Sequence, residues 1–202
     1  MIHAPRRVLS LFMTRITFPR QDAASKEQGS FKVTLTPATT SLLFGGGKYA
    51  VSSSNSKSAK NWLTAWFRLT IPGLDTSKVS AVETIDITIP LVISTDDAAC
   101  ILCVPVPPRI SFPQLLITGA ESTAATWYSW FQSFVIRGIN GDADEKTGTL
   151  EYLDSMGAAL FSLSFNGLGI ISIAPEPYRS GESAARVQAA MYAEKMTISK
   201  SP

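Results

Sequence analysis

The sequence predicts a mainly β protein of two packed antiparallel sheets, a sandwich or barrel-like fold, with one amphipathic helix alongside. Three observations predict this class. Most segments after Trp62 alternate apolar and polar side chains, which is the period of a half-buried strand. Turn signals rich in glycine, proline and asparagine separate these segments. Only the segment 122–136 repeats large apolar residues at helical spacing.

Length and charge limit the classes of protein that fit. A chain of 202 residues suits one domain with an extension. Charged residues make up 17% of the chain, against about 25% in an average soluble domain. This shortfall suits a subunit covered by neighbours, and equally an ordinary β domain rich in serine and threonine. The net charge of +2 is too small to predict a nucleic-acid interface.

The sequence predicts a soluble protein without a membrane segment. No apolar run approaches the roughly 20 residues that a membrane-spanning helix needs. Arg6-Arg7 and the apolar run that follows imitate a short signal peptide. Arg15 interrupts that run and no small-residue cleavage site follows, so we do not predict export by this route.

Composition divides the chain into three parts. Residues 1–61 are rich in serine, threonine, lysine and glycine, which predicts an N-terminal extension or arm, partly irregular. Within this arm only 31–36 alternates well enough to predict a strand. Residues 62–198 form the predicted β domain, and 199–202 a short C-terminal tail.

The β domain opens with two predicted strands. The first covers 62–71 and ends at the turn signal Pro72-Gly73. The second covers 79–89 as one continuous strand, with alternate apolar residues on one face. Its other face is polar and is predicted to contact water, through Ser80, Thr84, Asp86 and Thr88.

The next two elements are an edge strand and the helix. Residues 110–118 predict an edge strand or a strand starting at a bulge, because Pro113 cannot donate to a ladder. The helix has Ser122 or Thr123 as its N-cap and ends at Gly138. Its buried face is predicted to pack on the core through Trp127, Trp130, Phe131 and Phe134.

Further strands follow the helix. The segments 148–153, 160–165 and 168–173 predict strands joined by tight hairpin turns at 154–157 and Asn166-Gly167. The last segment, 186–198, alternates well enough to close a sheet. Its alanine, glutamine, methionine, glutamate and lysine residues also favour a helix, so both alternatives stay open here.

No catalytic, cofactor or metal site is predicted. The single histidine, His3, cannot complete a Ser-His-Asp or Cys-His pair. The Gly45-Gly-Gly-Lys48 run lacks the other residues of a phosphate-binding loop, with Leu42 and Tyr49 in their places. The acidic run 142–145 lacks the downstream glutamate of a calcium loop.

The two cysteines, Cys100 and Cys103, are predicted to be buried or interfacial thiols in a reducing compartment. In an extended strand, positions three apart point to opposite faces. A structural zinc site would need two further ligands, which the neighbouring sequence does not supply.

From Trp66 onward the order of these signals resembles the tail-tube (inner tube) protein family of contractile-tailed phages and related contractile injection systems. The resemblance covers about two-thirds of the chain. Its motifs are each degenerate, and their order and spacing carry the match. They are Phe67-Arg-Leu-Thr-Ile-Pro-Gly-Leu74 with Val79-Ser-Ala-Val82, Arg109-Ile-Ser-Phe-Pro-Gln-Leu-Leu-Ile-Thr-Gly119, Trp127-Tyr-Ser-Trp130, Lys146-Thr-Gly-Thr-Leu-Glu-Tyr-Leu-Asp154, Phe165-Asn-Gly-Leu-Gly-Ile170 and Ala190-Met-Tyr-Ala-Glu-Lys-Met196.

The resemblance implies a structural protein and no enzyme. Six copies would close into a ring through strand pairing between subunits, and rings would stack into a hollow tube. Partners would be sheath, baseplate and tape-measure proteins, with DNA or an effector passing through the lumen without sequence-specific binding. The location would be a virion tail or injection particle, assembled in the bacterial cytoplasm. The polar face of Ser80, Thr84, Asp86 and Thr88 would suit the wet lumen.

Other functions remain open from the sequence. Within the family, the chain could be a baseplate or tube-initiator protein, with the arm as a docking element. Outside it, a monomeric β-sandwich that binds a glycan or peptide fits the same strands, as does an enzyme with an unrecognised carboxylate site.

Overall fold

A computed structural model describes residues 6–42, 62–90, 110, 112–176 and 184–200. Within these ranges the chain is mainly β, with two antiparallel sheets and one helical segment, so the predicted fold class is confirmed. The strands are β1 Arg6–Phe18, β2 Gln21–Asp22, β3 Lys32–Leu42, β4 Phe67–Thr70, β5 Val79–Val82, β6 Ile85–Thr88, β7 Leu115–Ala120, β8 Lys146–Leu153, β9 Ala159–Pro175 and β10 Arg186–Lys200.

The described residues form two compact units. The hairpin unit contains 6–17, 32–42, 87–90 and 110, and its sheet has the order β3-β1-β6. The main unit contains 18–31, 62–86, 112–176 and 184–200, and its sheet has the order β2-β5-β7-β10-β9-β8-β4. This division differs from the predicted boundary at 61/62, because 18–31 belong to the main unit and the chain after 86 returns to the hairpin unit.

The arm forms a long antiparallel hairpin rather than the single predicted strand. β1 pairs with β3 from Arg6 opposite Leu42 to Thr17 opposite Lys32. A register shift between Met13 and Arg15 inserts one extra residue, and this shift hides the alternation in the sequence. The segment that imitates a signal peptide is therefore a bulged strand.

The main sheet is nearly closed by the segment 62–66. On one side of this segment, Asp22 donates its backbone N–H to the carbonyl oxygen of Thr64 at 3.1 Å. On the other side, Leu153 donates to the carbonyl oxygen of Trp66 at 2.9 Å. The predicted strand 62–71 is thus shorter, Phe67–Thr70, because the preceding backbone bonds across to β2 and its loop.

Five aromatic rings form a cluster in the main unit, in which Phe31 is exposed: Phe18, Phe31, Trp62, Tyr152 and Phe161. Tyr152 is at its centre, stacked on Phe161 with 4.2 Å between ring centroids and edge-on to Trp62 at 5.1 Å. Gly29 packs so close to Trp62 that a Cβ atom there would lie 2.3 Å from the indole. A glycine at this position is therefore required for the close approach.

Two predicted strand assignments are wrong. The predicted strand 79–89 breaks after Val82, so β5 joins the main sheet while β6 joins β1 in the other. Conversely, the predicted turn at Asn166-Gly167 lies inside the single 17-residue strand β9. Gly167 has a φ of +62°, and it supplies a bulge in β9 rather than a hairpin turn because β10 pairs with β9 on both sides of it.

The last predicted strand and the edge strand are also revised. β10 is a strand, which excludes the helical alternative, and it extends into the predicted tail as far as Lys200. Pairing with both β7 and β9 overrides the helix propensity of its residues. β7 is an inner strand between β5 and β10, and it begins only after Pro113.

The helical segment has three geometries in succession: a 3-10 turn Glu121–Thr123, the α-helix α1 Ala125–Phe131 and a π-helical turn Gln132–Ile136. Ala124 occupies the N-cap of α1 without a side-chain hydrogen bond, so the predicted cap is wrong. Thr123 instead donates its hydroxyl to the carbonyl oxygen of Ala120 at 3.1 Å. Gly138 follows the segment with a φ of +69°, as expected for a helix end.

Candidate functional site

The helical segment packs on β9 and is anchored by the loop after β4. Trp127 donates its indole N–H to the carbonyl oxygen of Asp75 at 2.8 Å. Asp75 in return donates its backbone N–H to the hydroxyl of Thr126 at 2.9 Å. Of the predicted packing residues, Trp127, Trp130 and Phe134 are buried and Phe131 is half-buried, at the junction between α and π geometry.

One open strand edge lies along the C-terminal half of β10. β7 pairs with β10 from Arg186 to Met191, where Leu115 is its last partner. Pro113 and Gln114 precede β7, and proline has no N–H to continue the ladder. Within the described ranges, residues 192–200 of β10 therefore pair with β9 alone. We call this stretch the β10 edge.

A second open edge lies on β9. β8 pairs with β9 only as far as Leu168, opposite Lys146. Residues 169–175 then pair with β10 on one side, and no described strand lies on the other. We call this stretch the β9 edge.

The two open edges face opposite sides of the β9–β10 pair and lie towards opposite ends of it. At about 3.3 Å per residue, the β10 edge is about 30 Å long and the β9 edge about 20 Å. Exposed apolar side chains accompany both, with Ile171 on the β9 edge and Ile198 on the β10 edge. Two such edges on one molecule can pair head-to-tail with further copies.

Strand spacing in the sequence did not predict these edges. They arise because β9 and β10 are much longer than β7 and β8. The sequence does not show the full length of β9, because Asn166-Gly167 within it has the composition of a turn. Pro113 was the one local signal, since it marks where β7 must end.

Tyr192, the first residue of the β10 edge, is held by a hydrogen bond and by ring packing. Its hydroxyl donates to the Glu145 carboxylate, with 2.6 Å between Oη and Oε1. Its ring lies over Gly169, where any Cβ atom would collide with it. Burial raises the pKa of Tyr192 to about 12, helped by the hydrogen bond to Glu145 and by the negative charges of Glu145, Glu194 and Asp142.

The raised pKa of Tyr192 predicts a loss of stability in alkali. An ordinary tyrosine loses its proton near pH 10, and Tyr192 in the folded chain near pH 12. The contribution of Tyr192 to the free energy of unfolding is complete below pH 10 and is lost as the pH rises to 12, because the unfolded chain then binds fewer protons than the folded chain. We expect the free energy of unfolding, measured by urea titration at each pH, to fall less between pH 10 and 12 for Tyr192→Phe than for wild type. Exposed Tyr128→Phe is the control, and parallel wild-type and Tyr192→Phe curves would contradict the assignment.

The four predicted wet-face residues lie in different elements. Ser80 is on β5, half-buried, and its hydroxyl donates to the carbonyl oxygen of Thr118 at 3.3 Å. Thr84 is exposed in the link between β5 and β6. Asp86 and Thr88 are on β6 in the other sheet, half-buried and exposed respectively. They therefore do not form the single strand face that alternation predicted.

A polar cleft of about 460 Å³ lies against β2, β5 and β7. Of its charged groups, the Arg20 guanidinium lies 3.3 Å from the Asp22 carboxylate and 3.1 Å from that of the neighbouring Glu83, and Glu176 and Arg186 also line the cleft. The described residues contain no group of three or more potential metal ligands among histidine, cysteine, aspartate and glutamate. His3, Gly45–Lys48, Cys100 and Cys103 lie outside the described residues.

Within the described ranges, no helix has the length and apolar composition that crossing a membrane requires.

Comparisons with known proteins identify the fold. No protein-family model and no curated protein matches this sequence. Solved structures do match. A chain of the sheath-tube complex of PVC, an extracellular contractile injection system, is 13% identical with a TM-score of 0.52, over 67% of this chain and 88% of that one. A chain of the anti-feeding prophage tube-terminating cap is 14% identical with a TM-score of 0.53, over 78% of this chain and 96% of that one.

One matched structure is a sheath-tube complex and the other a cap that terminates a tube, and the matches cover 67% and 78% of this chain. The nearly closed seven-stranded sheet with one helix packed on β9 therefore has the tail-tube fold of contractile injection systems.

Proposed function

We propose that this chain is a structural subunit of the inner tube of a contractile phage tail or contractile injection system, with no catalytic role. The observation that carries this proposal is the pair of open edges on opposite sides of β9–β10. Head-to-tail pairing of a β10 edge with the β9 edge of the next copy gives a heterologous contact, which forms a ring if the rotation closes. Ring closure leaves neither edge exposed to aggregation.

We propose six copies in each ring and stacking of rings around a lumen. The tail-tube fold supports this assembly, because the matched chains come from a sheath-tube complex and from a cap that terminates a tube. Sheath, baseplate and tape-measure proteins are the proposed partners, and DNA or an effector the proposed cargo, without sequence-specific binding. Thr84 and Thr88, which are exposed, remain proposed lumen residues.

The proposed site of action is a virion tail or extracellular injection particle, with assembly in the bacterial cytoplasm. A terminal ring is the second candidate, since the cap structure matches over more of this chain than the sheath-tube chain does. Negative-stain microscopy separates the two, because a tube subunit forms long tubes and a terminal ring stops at one layer. A persistent monomer would contradict both.

Proline variants on the β10 edge test the ring contact. Successive N–H groups of a strand point to opposite sides, so Met196 and Thr197 direct their N–H groups to different sides of β10. One of the variants Met196→Pro and Thr197→Pro therefore removes a hydrogen bond to β9, and the other removes an N–H that points outward. An outward proline is tolerated on an edge strand. We expect that variant to keep the wild-type melting temperature and to form no rings, in microscopy and sedimentation.

Thr197→Ala is the matched control, because it keeps the N–H and should assemble as wild type does. Rings from the proline variant that retains the wild-type melting temperature would show that the β10 edge is not a ring contact.

A further inference from the structure

The two faces of the β1–β3 hairpin differ sharply in chemistry. Residues paired across an antiparallel ladder share a face. Leu11 lies opposite Pro37, Met13 opposite Leu35, and, beyond the bulge, Ile16 opposite Val33. One face therefore consists of six apolar residues, which we call the apolar hairpin face: Leu11, Met13, Ile16, Val33, Leu35 and Pro37.

Most of the apolar hairpin face is exposed, and Ile16 is half-buried. Leu11 is 52% exposed, Leu35 50% and Val33 48%, and Met13 is also exposed. The opposite face carries threonines, with the Thr14 hydroxyl 3.2 Å from that of Thr36, and the half-buried Phe12 opposite Thr36. Large exposed apolar patches that are rimmed by polar residues mark interaction sites in soluble proteins.

Charge is distributed unevenly along the chain. Residues 1–60 contain nine lysines and arginines against two acidic residues, and residues 61–202 contain nine against fourteen. The strands β1 and β3 carry four basic residues and no acidic one. The hairpin is thus attracted to an acidic surface, and the rest of the chain is acidic.

The main unit carries a matching surface at the end of its helical segment. Val135, Ile136 and Ile139 are exposed there, with Ile136 the most at 68%. Asp142 and Asp144 follow and are exposed as well, and the exposed Arg137 between Ile136 and Ile139 offsets one of their two charges. We call the five residues other than Arg137 the helix-end patch. An apolar surface beside acidic groups complements an apolar face on a basic hairpin.

We propose that the apolar hairpin face of one copy docks on the helix-end patch of a second copy. This contact rests on the proposed function, in which copies assemble, but it uses neither the β9 edge nor the β10 edge. It is head-to-tail, since each copy offers one hairpin face and one patch. The arm thereby has a role in assembly.

Two single variants with opposite charges test the contact. Leu35→Glu places a negative charge against the acidic patch, and Ile136→Lys places a positive charge against the basic hairpin. Both positions are already exposed, so each monomer should keep its wild-type melting temperature. In sedimentation assays we expect each variant alone to need at least about tenfold more protein for half-assembly.

An equimolar mixture of the two variants should recover most of the wild-type assembly. The glutamate of one chain then meets the lysine of the other, and the remaining contacts are native. Met156→Glu is the matched control, because Met156 is exposed in a turn far from both surfaces in sequence, and it should assemble as wild type does.

The outcomes separate this contact from the ring contact. Any of three results would overturn the docking proposal. They are assembly of either single variant at the wild-type level, no recovery of assembly in the mixture, and a wild-type protein that never associates. A different result would support the docking proposal and contradict only the ring proposal. In that result, wild type forms no rings, and the charge-dependent association persists in the proline variant of the β10 edge that keeps its fold.

Discussion

Tyr152→Ala should lower the free energy of unfolding by about 3 to 5 kcal/mol, the range for truncating a large buried aromatic side chain. Tyr152 is fully buried on β8 and contacts four other rings: Phe18, Phe31, Trp62 and Phe161. Truncation leaves a cavity between the segment 62–66 and β8. That cavity lies where the main sheet is nearly closed, so the cluster cannot collapse without breaking the closure.

Tyr152→Phe is the matched control for this change. The Tyr152 hydroxyl makes no hydrogen bond to any described residue, and burial raises its pKa. Its removal keeps all four ring contacts, so we expect a change below about 1 kcal/mol. Urea unfolding followed by circular dichroism measures both variants. An alanine variant as stable as the phenylalanine variant would mean that the cluster is not part of the core.

Trp130→Ala is expected to cost about 3 to 5 kcal/mol as well. Trp130 is buried under the helical segment, 5.9 Å from the ring of Phe134 between centroids. The Lys146 ammonium lies 5.4 Å from the centre of its ring and adds a cation–π attraction. Loss of this side chain removes one of the three buried aromatic rings of the helical segment, beside Trp127 and Phe134.

Tyr128→Ala on the same helix is the comparison for Trp130→Ala, because Tyr128 is exposed and should cost under about 1 kcal/mol. Thermal melting of both variants distinguishes a packing role from a surface role. If Trp130 stacked on a ligand at the surface instead, its variant would melt as wild type does.

The sequence alone predicted the fold class and the position of the helix. Alternation reports which side chains a strand buries, and helical spacing reports the same for Trp127, Trp130 and Phe134. Both signals are local, so they survive without knowledge of the partner strands. The order of the strand and helix motifs added the family resemblance, which the solved structures support at the level of fold.

Bulges account for two of the errors. The extra residue near Arg15 interrupts the alternation of β1, so the sequence of the arm predicts only one strand, at 31–36. Asn166-Gly167 has the composition of a hairpin turn, yet the same left-handed glycine serves a bulge when neighbouring strands continue past it.

The partners of each strand were decided only by the tertiary structure. The break between β5 and β6, the strand assignment of β10 and the two open edges all depend on backbone hydrogen bonds between residues distant in sequence. Local alternation indicated buried side chains such as Leu69, Ile71 and Ile85, whereas the alternating apolar residues of the hairpin are exposed. Long-range pairing decided which sheet each strand joins and which strand edges remain open, because no short segment contains both members of a ladder.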